Sequence, residues 1–120
     1  MSACVEPGAL SGISSRRVLE TRVHVTDCRT AAEQILAWAR AGRPGYVCAA
    51  TVHMLMEAHD TPEFRRVLEE ASLVTADGMP VAWALRLLGT PGAQRVCGPD
   101  LMQELCALAA RTEVPIGLYG

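Results

Sequence analysis

The sequence contains no lysine: its eleven basic residues are all arginine. That excludes Schiff-base chemistry and the lysine of a phosphate-binding loop. Aromatic residues are almost as scarce, limited to Trp38, Trp83, Tyr46, Tyr119 and Phe64. The interior therefore has to be assembled from Leu, Val, Ala and Met. With a net charge of −2 and no basic block interleaved with aromatics, nothing draws the chain to nucleic acid. Cysteines at C-x-x-C spacing are missing too. Cys4, Cys28, Cys48, Cys97 and Cys106 are odd in number and irregular in spacing, as free thiols in a reducing cytosol would be. His53 and His59 stand six apart and cannot share a helical face, so no metal pair forms there, and neither a metal nor a cofactor is expected. No apolar run reaches membrane-spanning length, and residues 1–15 lack the apolar stretch of a signal peptide.

What is present is enough for one small domain of 120 residues, half of them hydrophobic. Residues 1–15 read as a flexible tail and 16–120 as the folded portion. Alternation over Val18 to Val25 predicts one or two short strands. A helix is expected from about Thr30, with Thr30 and Glu33 as a capping box and Ala31, Ile35, Trp38 and Ala39 on one face. Tyr46 to Ala50 reads as a buried strand, and Thr51 as the cap of a helix through Met54, Leu55 and Ala58. Asp60-Thr61-Pro62 breaks that helix and starts another, in which Phe64, Val67, Leu68 and Ala71 recur at i, i+3, i+4 and i+7. Arg65 and Arg66 are spaced to pair with Glu69 and Glu70 one turn on. Ser72 to Thr75 is a strand ending at Asp77, Met79 to Leu88 a helix buried on most of its circumference, Pro99 to Arg111 another helix, and Val114 to Tyr119 a last strand.

Apolar strands separated by helices predict an α/β fold, a Rossmann-like parallel sheet with helices on both faces. Ligands bind beyond the carboxyl ends of such strands, where Ala49 to Thr51, Ala76 to Gly78 and Tyr119-Gly120 would converge. Asp77 is then a carboxylate held between strand and helix, suited to accept a proton. Arg95 is an always-charged guanidinium able to hold phosphate oxygens in bidentate fashion. The helix starts at Thr51 and Gly78 offer backbone N–H groups to an anion. Each residue has a purely structural reading as well. Asp77-Gly78 also fits an N-cap and turn, Thr51 a helix cap, and Arg95 a solvated loop residue or the partner of Asp100.

The run Ala49 to Ala58, followed by Pro62-Glu63-Phe64-Arg65, Ala76-Asp77-Gly78-Met79-Pro80 and Arg95-Val96-Cys97-Gly98-Pro99-Asp100-Leu101, resembles the WecG/TagA/CpsF glycosyltransferase family. The likeness spans about residue 22 to the end, with several separated motifs in order. It implies an inverting, metal-independent transfer of a hexosyl unit of N-acetylmannosamine or related type. The implied donor is a UDP-sugar and the acceptor a polyprenyl-diphosphate-linked sugar, in cell-wall or exopolysaccharide assembly. By the same resemblance Asp77 stands at the position of the catalytic base and Arg95 at a position that binds the donor diphosphate. Where the family carries Thr-x-Asn, this sequence has Ala49 and Thr51, so one hydroxyl is gone and an amide has become a hydroxyl.

Family members continue beyond the position of Gly120, which predicts that this chain is the N-terminal half of such an enzyme and has little activity alone. The full enzyme is expected to be cytoplasmic and peripheral at the inner face of the plasma membrane, and an uncovered sheet edge predicts homo-oligomers or marginal stability. The alternative function is a non-catalytic nucleotide-sugar-binding or interaction domain, favoured by Ala49 and Thr51. A dinucleotide-dependent oxidoreductase is disfavoured, because no G-x-G-x-x-G follows the first strand.

Overall fold

The computed structural model describes residues 13–120. The chain opens with an antiparallel hairpin, β1 (Ser14–Val18) and β2 (Thr21–Val25), whose turn holds Leu19 and Glu20 at positive φ. There follow α1 (Cys28–Arg40), β3 (Val47–Ala50), α2 (Val52–Asp60), α3 (Pro62–Glu69), β4 (Leu73–Ala76), α4 (Met79–Leu87) and α5 (Gly98–Thr112). β1 begins at Ser14, inside the stretch expected as a tail; residues 1–12 of that expectation lie outside the described residues.

β3 and β4 pair in parallel, Val47 opposite Leu73 through Ala50 opposite Ala76. All four residues of β4 are buried, because successive side chains of a strand point to opposite faces and both faces are covered. Leu73 enters a core with Ala31, Leu36 and Trp38 of α1 and Leu101, Leu108 and Ala109 of α5. Val74 and Ala76 enter a second core with Leu55, Leu68, Val81 and Leu85, drawn from α2, α3 and α4. Helices therefore lie on both sides of the parallel pair, as expected.

The extended Rossmann-like sheet does not form: the described residues make two separate two-stranded sheets. β2 does lie against β4, but the link between them is a side chain. His24 is buried and its Nδ1 accepts the Val74 backbone N–H at 3.1 Å.

Other expectations are corrected by local chemistry. The cap of α1 is Asp27, whose carboxylate accepts the Thr30 N–H at 2.7 Å, while Glu33 pairs with Arg29 at 2.9 Å instead of closing a box. Ala39 is exposed, and Ala31, Ala32, Leu36 and Trp38 form the buried face. Residues 113–120 form no strand. Glu113 caps α5 in the left-handed conformation, and Pro115 has no N–H to offer a ladder. Tyr119 is consequently fully exposed and does not reach the strand ends.

The helix starting at Met79 buries only Val81, Ala82 and Leu85; Trp83 is 55% and Leu87 88% exposed. The ion pairs predicted within α3 are replaced by links between elements. Glu69 pairs with Arg17 at 2.9 Å and Arg65 with Glu20 at 3.6 Å, tying α3 to the hairpin.

Candidate active site at the carboxyl ends of the parallel strands

Each strand of the parallel pair hands over directly to a helix. Thr51 follows β3 and caps α2, its hydroxyl accepting the Met54 N–H at 3.2 Å. That lone-pair contact leaves the hydroxyl hydrogen free to donate to a ligand. After β4, the Asp77 N–H donates to the Ala50 carbonyl at 3.0 Å, extending the ladder by one residue. Asp77 and Thr51 are thereby held side by side at the same rim.

Gly78 then turns the chain into α4 with φ 116° and ψ 148°, a combination essentially restricted to glycine. No side chain caps α4, and Pro80 removes one of its first-turn donors. Two helix N-termini, of α2 and α4, thus start from the rim that carries Asp77.

Arg95 reaches the rim through its neighbour. Val96 is fully buried; its N–H donates to the Ala76 carbonyl at 2.7 Å and its own carbonyl accepts from the Thr75 hydroxyl at 3.2 Å. The segment is pinned along the end of β4, which puts Arg95 beside the Asp77 turn with its guanidinium in solvent. That guanidinium meets Asp100 at 3.7 Å and the Cys97 sulfur at 3.9 Å. The Arg95–Asp100 pair foreseen as a structural reading is therefore present, but both partners are about half exposed and such pairs are weak.

Among the described residues no hydrogen bond or ion pair engages the half-buried Asp77 carboxylate. A carboxylate without a protein partner at a polar rim is free to accept a proton. Ala49 lies opposite Thr75 in the ladder, half-buried, and brings only a methyl group. Asp77, Gly78, Thr51 and the Arg95 backbone are thus brought to one edge, with Ala49 one step back in the strand. Thr75 and Val96 were not legible as positioning residues. The signal that would have found Val96 is a lone aliphatic residue in the loop between Arg95 and Cys97.

Among the described residues no group of three or more His, Cys, Asp or Glu side chains is arranged to hold a metal ion, and no helix is long and apolar enough to cross a membrane. Burial pushes the Cys28 and Cys48 thiols up from their ordinary range, away from thiolate chemistry. Compared with known families, the chain matches the Glycosyl transferase WecG/TagA/CpsF family over residues 16–120.

Proposed function

Because the chain belongs to the WecG/TagA/CpsF glycosyl transferase family, we propose that its Asp77 rim serves an inverting, metal-independent hexosyl transfer from a UDP-sugar to a polyprenyl-diphosphate-linked sugar. The transferred unit is of the N-acetylmannosamine type or a relative of it, and the product feeds bacterial cell-wall or exopolysaccharide assembly. In this reading residues 16–120 are the N-terminal portion of the transferase domain, acting at the cytoplasmic membrane surface.

The acceptor hydroxyl oxygen attacks the anomeric carbon, and Asp77 takes its proton as the new bond forms. The bond from that carbon to the donor diphosphate breaks on the opposite face, and the electron pair leaves with UDP. Arg95 meets the charge gathering on the diphosphate, exchanging its weak contact with Asp100 for phosphate oxygens. Backbone N–H groups at the start of α4, beside Gly78, and the Thr51 hydroxyl add donors to the same anion. The observation that carries this reading is the pair of backbone bonds, Asp77 to Ala50 and Val96 to Ala76, which join a partnerless carboxylate and a cation-bearing segment to one strand end.

A second reading, a nucleotide-sugar-binding domain without turnover, is favoured by one feature. The Ala49 side chain is a methyl group and offers no hydrogen bond at the end of β3. The test is UDP-sugar-dependent labelling of a lipid-diphosphate sugar by the longest product of the gene, with Asp77→Asn in parallel. A loss of about 10²–10⁴-fold in turnover with donor binding retained is expected. Undiminished transfer by the variant would rule Asp77 out as the base, and donor binding with no transfer in either protein would establish the binding-domain reading. The 120 residues alone are expected to turn over little.

A further inference from the structure

The inner side of α4, with Val81, Ala82 and Leu85, fills the core. Its outer side is apolar as well. Met79, Trp83 and Leu87 recur there at i, i+4 and i+8, one line along the helix. Trp83 and Leu87 are more than half exposed, and Leu88 beside them is 47% exposed. Large apolar side chains grouped on one short helix differ from the single ones any surface carries.

The charge around this line has one sign. From Gly78 to Pro99 the sequence holds no acidic residue, and its only charges are Arg86 and Arg95. Asp77, at the rim, precedes that stretch. Arg16 of β1 adds a cation at the far end of α4, where its Nε donates to the Leu88 carbonyl at 3.2 Å. The Arg86 Nε donates to the Ala93 carbonyl at 2.9 Å. Both guanidiniums thus bond neutral carbonyls, and among the described residues no ion pair compensates either charge.

We propose that this face docks on an anionic lipid bilayer, with α4 lying along the headgroup layer and Trp83 at the interface. Such a surface takes up apolar side chains at the acyl boundary while its phosphates meet the flanking cations. A tryptophan ring suits that depth because one edge is polar and the rest is not. A second copy of the chain fits less well. A helix of nine residues is about 13 Å long, and one line of side chains on it falls short of the roughly 800 Å² per partner that a stable dimer buries. The inference rests on the transferase reading in one respect: α4 starts beside Asp77, so docking holds the rim at the level of a lipid-linked diphosphate.

Co-sedimentation with vesicles of equal parts phosphatidylglycerol and phosphatidylcholine tests it. The 120-residue chain is expected to bind, with a blue shift of tryptophan emission and quenching by lipids brominated on their acyl chains. Leu87→Ser and Trp83→Ser, both at exposed positions, are each expected to weaken partition roughly tenfold. Met102→Ser removes a half-exposed apolar side chain from α5, on the other side of the parallel pair, and is expected to leave partition unchanged. Vesicles of phosphatidylcholine alone are expected to bind about tenfold more weakly.

No loss in Leu87→Ser, or an equal loss in Met102→Ser, would overturn the docking face. Equal binding to phosphatidylcholine alone would overturn the anionic surface. Failure to bind vesicles, with dimers in sedimentation equilibrium that Leu87→Ser dissociates, would put a second copy in place of the bilayer. These readouts need no turnover, so docking fails or stands separately from the transferase reading.

Discussion

The backbone N–H of Val96 donates to the carbonyl of Ala76 at 2.7 Å, across nineteen intervening positions of sequence that include the whole of α4. This bond sets the catalytic reading of the rim, because Ala76 precedes Asp77 and Val96 follows Arg95. The loop before α5 is tied to β4 by this bond and by the Thr75 hydroxyl on the Val96 carbonyl, although it is not part of a strand.

Arg95 bears the first consequence. Its ion pair with Asp100 is half exposed, so Arg95→Gln is expected to change folding stability by no more than about 0.5 kcal/mol. The same variant is expected to lose roughly ten- to a hundredfold in donor-dependent turnover, as removal of a charge-assisted contact does. Arg95→Lys recovers only part of that loss, because an ammonium cannot grip two phosphate oxygens in one plane. Thermal melts beside steady-state kinetics separate the two effects.

Gly78 is expected to tolerate no side chain. A Cβ there would meet only Pro80 Cδ at 3.8 Å, an ordinary contact, so crowding is not the obstacle. The backbone at φ 116° is, and Gly78→Ala is expected to cost about 1–3 kcal/mol by denaturant titration. Relaxation of that strain turns the start of α4 and moves Asp77, so turnover falls along with stability.

His24 makes the link between β2 and β4 pH-sensitive. Burial lowers its pKa from the ordinary 6.5, and the Arg22 charge lowers it further. We note that Nδ1 can accept from Val74 only while it carries no proton. In the unfolded chain His24 takes up a proton at higher pH than in the folded one. Stability is therefore full above about 6.5 and declines as pH falls from there toward the lowered folded value. His24→Asn, with an amide oxygen near the Nδ1 position, is expected to flatten this decline. Urea midpoints at pH 7.5 and 5.5 for both proteins check it, the difference between them removing the contributions of other groups.

Leu73 tests the two-sided burial of β4. It is fully buried between α1 and α5, and Leu73→Ala is expected to cost about 2–5 kcal/mol. In a domain this small such a loss is a large share of the total, and a sharp drop in melting temperature is the readout.

The order of helices and strands from β2 to α5, the break at Pro62 and the position of Asp77 at a strand-to-helix junction were legible in the sequence. Those features depend on local periodicity and on residues such as proline and glycine that act on their own backbone. The partners chosen across space were not. His24 standing in for a strand-to-strand bond, Glu69 reaching Arg17 rather than its own helix, residues 113–120 forming no strand, and Val96 tying the Arg95 segment to the end of β4 all depend on which elements meet. A sequence specifies what each backbone group needs; only packing decides which distant group answers it.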